Sequence, residues 1–543
     1  LKNSKSCDGF NLDGILSELG SYGKYQLLLL LLLGFRDSFL GMCNFNYVFT
    51  AAEVNMRCNV PECDQIDHSF NASWTNYALT KETNVCLRHE PYHHNVCTAD
   101  NFAWNKTISC DSAVYEDYNS IVAEFDLGCQ PWKRTLIGTI HNLGLVFSFI
   151  ISGLISDKYG RKVVIVITPL VVGVTGIIKS FSVNYYMLLV LEFLETALGY
   201  GNASMVLSLE LVSQKQRVMF SCIADILASI GGAFFGLIAW KVPYWRHMMW
   251  AIYAPLLVVV FYIFLIDEGV RWLLAHNKND EAVRVLNKVA KFNNIDLSSK
   301  AKSMLSNIAS VKNKEDEVSH QNILSVLRSR TILLRVALIA CCFICSTFVF
   351  NGTIINSSRV YGNKYINYSI VQLVSVPTRI ITAFTLSKFG RRAPIFVSYM
   401  LCCAFFLASA FVSTTAWWAS SLFYMMARMC GSYGMFSLLV VAMEVFPTTS
   451  RNSLTNVANT VGRLGAVLAP QAPLLDKYYS GLPSIVFGIA SIGAALLALL
   501  LPDASQSELP DNIVAAENIE SQQTEKQPEN IRQSVFSITR GKE

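Results

Sequence analysis

Charge is scarce in this 543-residue chain. Asp, Glu, Lys and Arg together supply 15% of it, against roughly 25% in an ordinary soluble domain. That shortfall argues against a water-soluble globule. Other absences exclude function classes. No P-loop is present, which disfavours an ATP-driven pump. No Cys/His spacing matches a zinc site, the pair His93-His94 reads as solvated surface, and no metal, cofactor or nucleic-acid partner is expected. The alternating segments of about ten residues that mark a membrane β-barrel are missing. No cleavable signal peptide is evident, so the first apolar run is expected to serve as its own insertion signal.

What fills the chain instead is apolar sequence. Hydrophobic residues make up 52%, and the mean hydropathy is +0.37. Seven consecutive leucines, Leu27 to Leu33, lie in the first long run. Crossing a bilayer takes about 20 predominantly apolar residues. Runs of that order recur at 25–50, 133–155, 163–183, 185–211, 218–240, 247–266, 331–352, 364–386, 393–413, 415–440, 452–472 and 480–501. Backbone amides in lipid must be satisfied within the segment, so these twelve runs are predicted to be helices. The expected fold is an all-α polytopic membrane protein of twelve transmembrane helices, set in the lipid bilayer.

Charge distribution orients it. Lys158, Arg161 and Lys162 follow the second run, Lys388, Arg391 and Arg392 follow the eighth, and 267–330 holds eleven Lys or Arg. All fall on one side, which the positive-inside rule makes cytoplasmic, with both termini. The loop 53–132 lies opposite. It holds Cys58, Cys63, Cys86, Cys97, Cys110 and Cys129 and two glycosylation sequons, at Asn71 and Asn105. Six cysteines in one polar loop suggest three disulfides and an oxidising, extracellular setting. The 15 possible connectivities stay open. The expected organisation is a cytoplasmic segment 1–24, a first half 25–266 that includes the extracellular loop 53–132, a cytoplasmic linker 267–330, a second half 331–501, and a disordered cytoplasmic tail 502–543.

The halves echo each other. Ser156-Asp157-Lys158-Tyr159-Gly160-Arg161-Lys162 returns 230 residues later as Leu386-Ser387-Lys388-Phe389-Gly390-Arg391-Arg392. Glu210 precedes Arg217 by seven residues, and Glu444 precedes Arg451 by seven. Such matched pairs mark a duplicated six-helix unit, pseudo-symmetric about a central cavity. The Gly153…Asp157-Lys-Tyr-Gly-Arg-Lys loop and its repeat resemble the signature of the major facilitator superfamily. Ser120-Ile-Val-Ala-Glu-Phe-Asp-Leu-Gly-Cys129, Glu268-Gly-Val-Arg271-Trp272-Leu273 and Glu444-Val-Phe-Pro-Thr-Thr-Ser-Arg451 narrow the resemblance to the organic cation, organic anion and carnitine transporters. Gly269-Val270 departs from that family's Ser-Pro.

The resemblance implies transport by alternating access, with a cytoplasmic network of ion pairs between the halves drawn from Asp157, Arg161, Glu210, Arg217, Glu268, Arg271, Glu444 and Arg451. The bland alternative for each is orientation and helix capping. Charges deep within a span are costly and mark function by default; here they are Arg36, Asp37, Glu192, Glu195, Asp225, Arg379, Arg428 and Arg463. Arg463 lies twelve residues past Arg451, about 18 Å deeper in a helix. It wants an anion, either on the substrate or on a fixed acid. The resemblance sharpens this, because that position is typically acidic in cation carriers and arginine in anion and carnitine carriers. Asp225 is expected to meet a substrate amine, take a proton, or pair with Arg463. Phe343, Phe350 and Arg379 complete the candidate substrate site. Arg428 and Glu195 read first as structural pairs.

These features favour a plasma-membrane carrier, not an enzyme, for small organic anions or carnitine-like zwitterions, with sodium or a proton as the possible coupling ion. An organic cation carrier of the same family, a sugar porter of the same superfamily, and a non-transporting receptor on a carrier fold are the alternatives.

Overall fold

The computed structural model describes residues 12–20, 23–80, 85–93, 96–212, 217–296, 298, 329–360, 362–388, 390–412, 416–446, 451–479 and 481–502. The tail beyond 502 and residues 299–328 of the linker lie outside them.

The apolar runs are helical, as the need to satisfy backbone amides in lipid requires. The first half holds α1 (Lys24–Asn44, continued by Tyr47–Thr50), α2 (Pro131–Tyr159), α3 (Arg161–Lys179), α4 (Tyr185–Gly199), α5 (Ala203–Glu210), α6 (Arg217–Lys241) and α7 (Trp245–Tyr253, extended to Leu265). Two helices follow at the basic end, α8 (Val270–Ala275) and α9 (Asn279–Asn293). The second half holds α10 (Arg330–Asn356), α11 (Lys364–Leu373), α12 (Ser375–Lys388), α13 (Arg392–Phe411), α14 (Trp417–Val445), α15 (Arg451–Leu468, continued to Lys477) and α16 (Leu482–Leu499). Ten stretches among the described residues are long and apolar enough to cross a membrane. The other two of the twelve crossings are α4–α5, which is interrupted, and α15, whose Asn, Thr and Arg side chains dilute its hydropathy.

The expected continuous span 185–211 is thus two helices. The chain leaves helical geometry at Tyr200, Gly201 and Asn202. Such a break inside a membrane is tolerated where it is buried or lines a cavity. Here the Ser148 hydroxyl on α2 donates to the Tyr200 carbonyl at 2.7 Å and accepts from the Tyr200 N–H at 3.0 Å.

Between α1 and α2 the chain forms a small cap. Strand β1 (Met56–Cys58) pairs antiparallel with β4 (Ala113–Tyr115), and β2 (Leu87–Pro91) with β3 (Phe102–Ser109). Ribbons this short are marginal alone. Three disulfides staple them, Cys58–Cys110, Cys63–Cys97 and Cys86–Cys129. The Ser120–Cys129 motif clamps the cap to the bundle. Ser120 caps the turn that carries Glu124, whose carboxylate accepts from Trp245 Nε1 at 2.5 Å and Arg246 Nε at 3.2 Å on α7. Tyr115 Oη donates to Asp126 at 2.8 Å, and burial holds that phenol above its usual pKa.

At the opposite end, α9 buries Ala282, Val285, Leu286 and Val289 on one face, the face its sequence period predicts. They share a core with Trp272 of α8 and with Leu12, Ile15 and Leu16.

Candidate functional site

The two halves meet along α6 against α11 and α2 against α15. At the cap end they are held together. Thr135 donates to Gln471 at 3.0 Å, Gln471 donates to Thr139 at 2.6 Å, and Ser369 donates to the Ala233 carbonyl at 2.8 Å. Phe49 stacks on Tyr365 with ring centres 5.4 Å apart. Away from the cap lies a cavity of about 340 Å³, walled by the first half with Arg463 reaching in from the second. Its charged lining residues are Arg36, Asp37, Asp225 and Arg463. A second space of about 170 Å³ shares Phe149, Asn202 and Arg463 with it and runs to Asp157 and Arg161 at the basic end.

Arg463 reaches this place because α15 lies close against α10. A Cβ on Gly462 would stand 2.4 Å from Phe343 Cβ, and one on Gly465 would stand 2.0 Å from the Ile344 carbonyl oxygen. Only glycine permits that approach. The Arg463 guanidinium lies over the Phe149 ring of α2, 3.6 Å from its centre. Among the described residues it has no carboxylate within ion-pair range.

The other charges on the cavity are compensated. Arg36 contacts Asp37 and donates to the Ile165 carbonyl at 3.1 Å and Thr168 Oγ1 at 2.8 Å. Asp225 bonds Arg379, not Arg463. That pair joins α6 of the first half to α12 of the second. Arg379 also lies 3.9 Å over the Phe436 ring. The sequence reading left Asp225 to a substrate, a proton or Arg463; Arg379 reaches it first because α6 and α12 pack together.

The predicted aromatic pair lies apart from the cavity lining. Phe343 is fully buried in the second-half core beneath Gly462, a packing position. Phe350 carries Arg428 over its ring at 3.9 Å and meets Phe436 edge-on at 6.1 Å. Arg428 donates to the Phe350 carbonyl at 2.6 Å and Thr353 Oγ1 at 3.0 Å. The acidic partner expected for it is absent among the described residues.

The motif ion pairs seen among the described residues lie within one half. Arg161 lies 3.3 Å from Asp157 and 3.4 Å from Glu210. Arg391 grips Glu444 with two bonds of 2.8 Å. The Glu268 carboxylate caps α3, accepting from the N–H of Arg161 at 2.8 Å and of Lys162 at 3.1 Å. Each motif turn joins consecutive helices of one half, so its nearest partners lie in that half. Arg271 sits exposed on α8. Arg217 and Arg451 begin α6 and α15, and their side chains are outside the described residues. Asn71 and Asn105 are both exposed.

Residues 119–470 match the sequence model of the Major Facilitator Superfamily. The chain belongs to that superfamily. It is also similar to curated organic ion transporters. It is 27% identical to the organic cation transporter protein of Drosophila melanogaster over 93% of this chain and 94% of that one. It is also 27% identical to organic cation/carnitine transporter 2 of Rattus norvegicus, over 92% and 93%. Solute carrier family 22 member 3 of Mus musculus matches at 27% over 77% and 75%. Among solved structures, the xylose transporter XylE from E. coli in a partially occluded inward-open conformation superposes with a TM-score of 0.58, covering 87% of this chain and 98% of that one at 14% identity. That likeness shows the fold alone. The chain is therefore a multi-pass membrane transporter of that superfamily, similar in sequence to curated organic cation and carnitine transporters, and its relatives are carriers rather than enzymes.

Sequence reasoning passes over His141 and Lys179. Both lie within apolar runs and are fully buried. The rule that flagged Arg463, a charge deep in a span, applies equally to Lys179.

Proposed function

We propose that this transporter carries small organic anions or carnitine-like zwitterions across the plasma membrane by alternating access. Arg463 carries the reading: of the charged residues on the central cavity, it alone lacks a carboxylate partner among the described residues. The pairs Arg36–Asp37 and Asp225–Arg379 each sum to zero, so the cavity bears one uncompensated positive charge. The broken helix adds to it. Asn202 and Ala203, at the start of α5, line the smaller space with Arg463. A half-helix N-terminus at mid-membrane presents free amides and the positive end of its dipole to an anion.

In this reading Arg463 anchors the substrate acid and Phe149 keeps the guanidinium facing the cavity. Asp225 and Arg379 form an inter-half latch that a substrate amine can compete for. Asp157, Arg161, Glu210, Arg217, Glu268, Arg271, Glu444 and Arg451 stabilise the basic end of each half as the halves rock. The stapled cap, with Asn71 and Asn105 exposed, faces the cell exterior, and residues 1–24, the linker 267–330 and the tail 502–543 face the cytoplasm. A cation substrate is the second reading, favoured by the relatives' names and by Asp225.

The test is uptake of labelled carnitine, a dicarboxylate, an aryl sulfate and a quaternary amine by cells expressing the chain. A hydrogen bond to a charged group contributes about 1.5–3 kcal/mol, so Arg463→Ala is expected to lower kcat/KM for an anionic or zwitterionic substrate by roughly ten- to a hundredfold. Arg463→Lys keeps the charge without the fork and falls between. Unchanged uptake in Arg463→Ala makes the arginine structural and ends the anion argument.

A further inference from the structure

A second polar centre lies inside the first half, behind the cavity wall. It is assembled from α1, α2, α3, α4 and α7 and is closed to solvent: His141, Lys179, Glu192 and Glu195 are each at most 1% exposed. The Lys179 ammonium donates to Glu192 Oε2 at 2.6 Å, to Glu195 Oε2, and to Tyr253 Oη at 3.1 Å. Tyr253 Oη donates to Glu195 Oε1 at 2.8 Å and accepts from Asn46 Nδ2 at 2.7 Å. His141 Nδ1 lies 2.6 Å from Glu192 Oε1, and His141 Nε2 lies 3.2 Å from Asn44 Oδ1. The Tyr47 and Tyr200 rings flank the imidazole at 5.1 and 6.2 Å, and Cys43, from α1, faces the Ile252 carbonyl at 3.7 Å.

With the Asn44 amide oxygen turned toward the ring, counting hydrogens gives the charge of the loaded centre. All three Lys179 protons are used, and neither Glu195 oxygen has a hydrogen to give, because each accepts one. Glu192 Oε2 also accepts from Lys179. An amide oxygen only accepts, so the nitrogen facing Asn44 Oδ1 carries a hydrogen. The 2.6 Å contact between Nδ1 and Oε1 then requires a further proton between two atoms that would otherwise present lone pairs. With it the centre sums to zero: Lys179 and His141 positive, Glu192 and Glu195 negative. Without it a net negative charge is buried, which is costly in a dry interior.

We propose that His141 and Glu192 form a proton-binding site and that this carrier moves a proton together with its organic ion. The proposal rests on the carrier reading and adds the coupling ion. The exchangeable hydrogen is the one on Nε2, because Asn44 lines the central cavity. When it departs to cavity water, the Nε2–H bond electrons stay on the ring. Neutral imidazole keeps Nδ1–H donated to Glu192, and the Asn44 amide turns over so that its Nδ2–H meets the bare Nε2. Rebinding reverses each step, and no oxidant or second reactant is involved. Two elements link the proton to the substrate. Helix α2 carries both His141 and Phe149, the ring under Arg463. The α4 chain runs from Glu192 and Glu195 directly into the break at Tyr200–Asn202 that lines the cavity. Loading a monoanion at Arg463 with one proton at His141 is electroneutral.

The experiment uses the full chain in phosphatidylcholine liposomes that hold a pH dye, with the same four labelled compounds outside. We expect the compound that accumulates to acidify the lumen, and an imposed inward proton gradient to raise its uptake several-fold. In His141→Gln and Glu192→Gln, gradient-driven uptake falls far more than counterflow exchange. Accumulation without acidification, or gradient stimulation that survives in both variants, overturns the proton site and leaves the carrier reading standing. Failure to take up any of the four compounds counts against the substrate reading instead. The site is then decided by infrared difference spectra of the same liposomes: an imidazolium band that titrates in the wild type and is lost in His141→Gln supports it, and no titrating imidazolium band in the wild type overturns it.

Discussion

The ion pair between Asp225 and Arg379 is a sharp mechanical test of the fold, because it crosses from one half to the other. It lies on the basic-end side of the cavity, eight residues along α6 from Arg217. If the halves rock, the pair must break when they part at that end. Its side chains are 35% and 25% exposed. That places it between exposed pairs, which contribute about 0.2–1 kcal/mol, and fully buried ones, whose disruption costs about 3–5 kcal/mol. A latch of about 1–2 kcal/mol follows, and its loss shifts the equilibrium toward the state open at the basic end by roughly 5- to 30-fold. Cys222 is a natural reporter: half-buried, without a disulfide, and one turn from Asp225 on α6. In inside-out vesicles, with the other free cysteines replaced and the three disulfides kept, a membrane-impermeant maleimide should label Cys222 faster by that factor in the double neutral variant Asp225→Asn/Arg379→Gln. The single changes should label at least as fast, since each strands a charge. The reversed pair Asp225→Arg/Arg379→Asp should slow labelling back toward the wild-type rate. Equal rates in wild type and the double neutral variant, or a reversed pair no slower than either single, would refute the latch.

Two further predictions follow from the ends of the bundle. Asn71→Gln and Asn105→Gln should each remove one glycosidase-sensitive step in mass from protein made in a eukaryotic cell, and a chain whose mass no glycosidase alters would contradict an exterior cap. Glu268→Ala should lower the melting temperature of the purified protein by an amount equivalent to about 0.5–2 kcal/mol, the range for losing a helix N-cap; Glu268→Gln, which still offers an acceptor to the amides of Arg161 and Lys162, should lose less. An unaltered melting temperature in Glu268→Ala would show that the capping bonds contribute nothing.

The twelve crossings were legible because lipid leaves the backbone few options, so length and hydropathy nearly determine the element. The break at Tyr200–Asn202 was not legible. Its cause is tertiary: the Ser148 hydroxyl on another helix takes up both the N–H and the C=O of Tyr200. Gly199 and Gly201 only permit it. The same limit explains the candidate site. Depth along a helix can be counted from sequence, and counting found Arg463 and Asp225. Direction around the helix depends on neighbours, and it decided that Asp225 faces Arg379, that Phe343 packs under Gly462, and that Arg161 and Arg391 close on acids of their own half. Pairing in the cap was equally out of reach, since the six cysteines carry no mark of which loops the two β-ribbons bring together.

The distribution of charge between the halves suggests why a carrier of this kind would keep both a bare arginine and a buried acid–base cluster. The second half holds Arg428 and Arg463, each resting on a phenylalanine ring and neither facing a carboxylate among the described residues. The first half holds two buried carboxylates against one lysine, and a proton on His141 evens the count. An anion that enters the cavity neutralises Arg463, and a proton neutralises the first-half cluster, while Arg428 stays on its own neutral acceptors in either case. With both aboard, neither the cavity nor the His141 cluster carries an uncompensated charge at the moment the cavity must close and lose its water. With one aboard, closing buries a lone charge in a low dielectric, which is expensive. Coupling of anion and proton would then arise from the cost of closing half-loaded, and Phe149 and His141, on the same helix, are placed to make both halves feel it.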